Sequence, residues 1–300
     1  MSDHVTICEM SPRDGMQSVN RDRRIPIEMR LCLIDALKRA KFPYIEAASF
    51  VSPKVFPQFA DSVEVLTRSG PYDGQLAALV PNFKYYEQFK STPNLNCVAV
   101  FLSASDEYSR KNKRISLEDD LVDANQIAAA AKANGHFLRA HLSGAFRDLT
   151  AENRETDPND VARVCRELIA MGCELVALAD TDGRATTGDV QRIIAHLCSS
   201  NIDIAKIGVH LHDRDDNAIE NALEAFRLGV RTFDSAVGGI GGNRASADYV
   251  GNIATDLLIA QLMRLGVQTG IDSDALRESH GIVDQMTQLA GDPRPAAFCL

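Results

Sequence analysis

No apolar run in this chain approaches the roughly 20 residues that a membrane span needs, so no membrane partner is expected. An excess of basic residues is missing too. Lysine and arginine total 32 against 41 acids, for a net charge of −9 and a pI near 5.3. That balance argues against nucleic acid or an anionic membrane surface as partner. There is no Cys-x-x-Cys pair. The seven cysteines (Cys8, Cys32, Cys97, Cys165, Cys173, Cys198, Cys299) are scattered and odd in number. Cys8, Cys32, Cys97 and Cys165 fall in apolar patterns, which predicts buried, reduced thiols and a cytoplasmic setting. Linkers, repeats and low-complexity stretches are absent, so a single domain over residues 1–300 is expected. The opening MSDHVTICEM enters a strand almost at once, and no signal or transit peptide is expected.

Hydrophobic residues make up 45% of the chain, enough for a substantial core. Strand-like apolar runs recur at 5–10, 44–50, 76–80, 97–103, 137–142, 175–179, 207–212 and 232–237. Helix-like periodic stretches separate them at 26–41, 61–69, 82–90, 117–134, 157–171, 188–200 and 214–229. In the first, Ile27, Leu31, Ile34 and Leu37 share a face, and Pro26 is tolerated at the start. Eight strands alternating with helices predict an α/β fold, a (β/α)8 TIM barrel, with 252–290 supplying the last helix and a short helical C-terminal extension. Functional residues of such a barrel sit at or just beyond strand C-terminal ends. Arg13-Asp14, Glu46, Ser49, Asp180-Thr181, His210 and His212 all collect there.

Residues 207–252 hold the strongest signal. On a strand, residues i and i+2 face the same side, so His210 and His212 can both face the barrel axis. In a closed barrel the first strand lies beside the eighth and the eighth beside the seventh, which brings Asp14 and Asn252 within reach of the same point. Two imidazoles, a carboxylate and an amide oxygen suit a divalent cation. The oxygen share favours Mg2+ or Mn2+ over Zn2+. A His-x-His pair alone also fits hydrogen-bonded core histidines. It gains weight because Arg-Asp ends the first strand and Gly-Asn ends the loop after the eighth. The run Asp213-Arg214-Asp215-Asp216 reads as a helix N-terminus, acids suiting the dipole there.

These segments resemble the metal-dependent lyase and synthase superfamily of TIM barrels (the DRE-TIM metallolyases), and within it hydroxymethylglutaryl-CoA lyase. Ser11-Pro12-Arg13-Asp14-Gly15-Met16-Gln17 is similar to that family's G-P-R-D-G-L-Q. Glu46-Ala-Ala-Ser49-Phe-Val-Ser-Pro-Lys54, running on to Pro57-Gln58-Phe-Ala-Asp61, resembles its second-strand signature. Pro81-Asn82-Phe83-Lys84 resembles P-N-L-K. Asp180-Thr181, His210-Leu-His212-Asp213, Asp234-Ser235-x-Val237 and Gly251-Asn252-Ile-Ala-Thr255 complete the series. The resemblance implies metal-dependent retro-Claisen cleavage of a 3-hydroxyacyl-CoA, with Asp14, His210, His212 and Asn252 as ligands. It implies Arg13 at the enolate oxygen, and His210 or Asp14 taking the hydroxyl proton. Glu46 would orient ligands or water, or else form a buried pair with Arg13. Ser49, Lys54, Asn82 and Lys84 would bind the acyl-CoA. It also implies a homodimer.

Two departures stand out. The family carries a cysteine in the loop after strand 8, nine residues before the ligand asparagine; here that position is Asn243, which cannot transfer a proton near neutral pH. The loop after strand 5 lacks the family's cysteine, and His141 is a replacement acid/base group, a substrate contact or a core histidine. A variant hydroxyacyl-CoA, or a hydroxy or oxo acid without CoA, therefore stays open as substrate. So do a Claisen-type synthase, a 4-hydroxy-2-oxo acid aldolase and a non-catalytic metal-binding scaffold.

Overall fold

Short apolar runs bounded by turn residues form the strands, and longer stretches with one apolar face form the helices between them. In the computed structural model of the protein, residues 4–17, 24–151, 154–214, 216–242 and 250–291 are described. The chain folds as a (β/α)8 barrel of parallel strands. Its described residues divide into two compact units.

The first unit takes residues 1–79, 88–96 and 234–300. It contains β1 (Thr6–Glu9), α1 (Ile27–Arg39), β2 (Tyr44–Ser49), α2 (Ser62–Arg68) and β3 (Gln75–Leu79). Cys8 pairs with Tyr44 in register, and Glu46 with Ala77. A bulge at Ala47 shifts the register so that Ser49 pairs with Leu79. Ala77 and Leu79 are two apart and face one side, so the bulge brings Glu46 and Ser49 to a shared face despite their odd spacing.

Helix α1 buries Leu33, Ile34 and Leu37 fully. Its apolar stripe is turned from the expected one. Ile27 and Leu31 are only half-buried, Arg30 takes a place on the inner face, and Cys32, expected to be buried, is exposed on the opposite side. Cys32 lies a third of a turn from the packed stripe, and apolar neighbours in sequence do not cover it.

The second unit takes residues 80–87 and 97–233. Strands β4 (Cys97–Ser103), β5 (Phe137–Ser143), β6 (Leu175–Asp180) and β7 (Ile207–Asp213) pair side by side, with α5 (Leu117–Asn134), α6 (Pro158–Met171) and α7 (Thr187–Ser199) between them. Their ends follow local chemistry. Ser116 caps α5 and Asp157 caps α6. Gly172 closes α6 at φ 103°, a backbone geometry that favours glycine. One helix, α4 (Asp106–Asn112), was not expected, because SDEYSRKN offers no apolar period. Another begins late. Helix α8 (Ala218–Arg227) starts beyond the acidic run, where Asp213 Oδ1 accepts the Ala218 N–H at 3.0 Å and Asp216 turns the chain at φ 59°. Asp213 is thus a strand end and Asp216 a turn residue, and neither lies in the first helical turn.

The chain closes with β8 (Thr232–Ser235), a two-residue strand β9 (Gly251–Asn252), α9 (Thr255–Arg264) and the extension α10 (Ser273–Ala290), which packs on α1. No disulfide forms among the described residues, and Cys8, Cys97, Cys165 and Cys173 are buried. Among those residues no helix is long and apolar enough to cross a membrane.

Candidate metal and active site

Strand β1 does not run straight into a loop. Residues Ser11–Gly15 make one turn of π-helix, with the Gly15 N–H reaching back to the Met10 carbonyl at 3.2 Å. Single π turns recur at functional sites because they re-aim side chains. This one buries both Arg13 and Asp14. Arg13 donates through Nε to Glu46 Oε1 and through Nη1 to Asp14 Oδ1 at 2.8 Å. Tyr44 holds the other Glu46 oxygen at 2.8 Å. Burial works against the Arg13 charge, but Glu46 and Asp14 outweigh it and raise its pKa. Arg13 and Glu46 are thus a buried ion pair.

Asn252 lies against Asp14 in the same unit. Its Nδ2 donates to Asp14 Oδ2 at 2.6 Å and to the Ile240 carbonyl at 2.9 Å. Both partners are acceptors, which fixes the amide orientation. Its Oδ1 is then left buried with no hydrogen-bond donor among the described residues. Such an atom is costly unless something electropositive meets it, and a cation fits. The glycine loop is built close around it. At Gly241, with φ 127°, a Cβ would lie 2.0 Å from Asn252 Nδ2 and 2.8 Å from Asp14 Oδ2, so only glycine can pass there.

The second unit carries three buried imidazoles. His141 pairs in register with Ala177, Ala177 with Gly208, and Ala179 with His210. Registered partners share a face, so His141, His210 and His212 all lie on the side of the alanines and Gly208. Those small residues leave room for the rings. The His141 and His210 rings meet edge to face at 5.6 Å, and His210 and His212 at 5.2 Å. All three are at most 7% exposed. At the end of β6, Asp180 is 2% exposed, and its Oδ2 accepts the Ala185 N–H at 3.1 Å. Burial pushes its pKa up to about 7.

The remaining predicted residues are spread out. Ser49 is buried, and its Oγ accepts the Val51 N–H at 3.3 Å. Asn82 is half-buried just before α3 (Phe83–Ser91), and Lys54 and Lys84 are exposed. Asn243 lies outside the described residues.

Sequence reading passed over Glu9. It is fully buried and accepts the Ser11 N–H at 2.9 Å, the Val237 N–H at 3.2 Å and the Thr255 hydroxyl at 2.7 Å. It thereby ties β1 to the glycine loop and to α9. Desolvation raises its pKa to about 7, held back by the Ser11 and Thr255 bonds. Its one signal was an acid inside the apolar run TICEM.

A family model described as HMGL-like matches residues 4–283. The mitochondrial hydroxymethylglutaryl-CoA lyase of Bos taurus is 34% identical over 94% of this chain and 85% of its own length. A 3-hydroxy-3-isohexenylglutaryl-CoA/hydroxy-methylglutaryl-CoA lyase of Pseudomonas aeruginosa is 35% identical over 91% of this chain and 89% of its own. A solved HMG-CoA lyase from Acinetobacter baumannii, in complex with coenzyme A and 3-methylmalate, has a TM-score of 0.88 and 29% identity, covering 98% of this chain and 94% of that one.

Proposed function

This chain belongs to the HMGL-like family of carbon–carbon lyases, and from that membership we propose that it cleaves hydroxymethylglutaryl-CoA, or a close variant of it, to acetyl-CoA and a 3-oxo acid. The observation that carries the reading is the Asn252 amide oxygen, buried without a donor inside a cradle of Asp14 and glycine backbone. In this reading Asp14 and Asn252 of the first unit and His210 and His212 of the second are the ligands, the set that membership of the family implies. A divalent cation there, Mg2+ or Mn2+ in this reading, would acidify the substrate's tertiary hydroxyl and offset the charge of the alkoxide.

The protein's own groups do the rest. Arg13 keeps Nη2 for the substrate while Nε and Nη1 are held by Glu46 and Asp14. It is a fixed cation where the departing thioester becomes an enolate. His210 or Asp14 takes the hydroxyl proton. His141, beside His210, is the group we assign to protonate the enolate in place of the family's loop cysteine. Ser49, Lys54, Asn82 and Lys84 bind the acyl-CoA. The whole chain acts as one domain, as a homodimer, in the cytoplasm.

The test is to incubate metal-stripped and Mn2+- or Mg2+-loaded protein with hydroxymethylglutaryl-CoA and follow acetyl-CoA and acetoacetate, with Asn243→Cys and His141→Phe alongside. Metal-dependent cleavage that His141→Phe abolishes is the expected result. Cleavage only by Asn243→Cys would point to a different substrate for the unmutated protein. Inactivity of both toward any acyl-CoA would overturn the reading in favour of 2-oxo or hydroxy acids without CoA.

A further inference from the structure

Arg30 is an arginine on the packed face of α1, 2% exposed. One of its nitrogens is well used. Nη1 donates to the Gln58 carbonyl at 3.2 Å and to Asp61. The other two, Nε and Nη2, are buried and have no acceptor among the described residues. These two form the side edge of the guanidinium, whose parallel N–H bonds match the two oxygens of a carboxylate. Buried donors of this kind are normally satisfied.

Arg30 lines a small crevice together with Met16, Arg24, Ile25, Gln58 and Asp61. Among the described residues that line it, two arginines stand against one aspartate, a net single positive charge. Its size admits one small group, and the exposed Arg24 stands at its rim. Met16, in its wall, immediately follows the π turn that carries Arg13 and Asp14.

We propose that Arg30 and Arg24 form a binding site for a carboxylate monoanion in this crevice, with the Nε–Nη2 edge of Arg30 as its fork. The charge count favours a monoanion over a phosphate dianion, and the size favours a terminal carboxylate. The carboxylate can be free or can belong to an acyl substrate. The site itself does not depend on the lyase reading.

Formate is the probe. Full-length protein titrated calorimetrically with formate at constant ionic strength is expected to show saturable binding. Arg30→Lys keeps a cation for Asp61 and loses the fork, and its formate affinity should fall at least tenfold. Arg24→Ala should lose less. Equal binding by all three proteins, or no saturable binding by the unmutated one, overturns the proposal. So does a crystal grown in formate that shows only water on Nε and Nη2. If Arg30→Lys fails to fold by circular dichroism, Arg24→Ala and the crystal decide. Displacement of bound formate by a carboxylate-bearing acyl thioester assigns the site to substrate. Retention of formate in its presence, with binding otherwise as expected, assigns it to a free carboxylate.

Discussion

At the scale of single residues, what matters here is burial of charge. Arg13 is buried between two carboxylates and is tied on two of its three nitrogens. Replacing it by methionine should therefore remove the stabilisation of developing negative charge and leave the metal cradle standing. We expect kcat to fall by about 10^2 or more with little change in Mn2+ affinity by calorimetry; a parallel loss of metal binding would contradict the assignment. Glu9 offers a prediction of a different sign from most acids. Its folded pKa, about 7, lies above the ordinary value. Its favourable contribution is thus complete below about pH 4.5 and is lost as pH climbs toward 7, because the folded state then holds a proton that the unfolded state has released. Urea unfolding should show Glu9→Gln gaining on the unmutated protein across that window, at up to about 1.4 kcal/mol per pH unit. A stability gap that does not vary with pH would refute this. Neither Glu9 nor Arg30 was legible in the sequence as unusual. A charged residue in an apolar pattern has the same letter whether it ends exposed or buried.

At the scale of elements, boundaries follow caps and turns. Strands β4 and β7 run within a residue of their expected limits, because the apolar runs end where turn residues begin. The polar helix α4 escaped, and α8 began four residues late, because capping geometry and not acid content sets a helix start. Helix α7 has the most complete start. Thr186 accepts the Asp189 N–H at 3.3 Å, and Asp189 accepts the Thr186 N–H at 2.9 Å. Asp189 also bridges Arg147 of the β5 loop at 2.6 Å. Thr186→Ala should cost about 1 kcal/mol, seen as a fall of roughly 2–4 °C in Tm by calorimetry. The bulge at Ala47 belongs to this scale as well. The spacing of Glu46 and Ser49 predicts opposite faces, and an extra residue in the strand reverses that.

For the whole molecule, metal and stability should be linked. A ligand that binds only the folded state adds about 2.7 kcal/mol at a hundred times its Kd. Mn2+ should therefore raise Tm over the chelator-treated protein, and Asn252→Ala should abolish the rise; an equal rise in that variant would place the ion elsewhere. The sequence by itself determined the barrel class and the family, and it supplied the letters Asp14, His210, His212 and Asn252 from which the proposed ligand set is drawn. These rest on period, order and residue chemistry, which are local and survive as letters. Only the tertiary structure decided that Glu46 pairs with Arg13, that Asn252 turns its oxygen to a spot with no donor among the described residues, that Cys32 lies outside, and that two nitrogens of Arg30 find no acceptor among those residues. Each depends on which groups meet after the chain has folded back on itself, and on how completely water is removed around them.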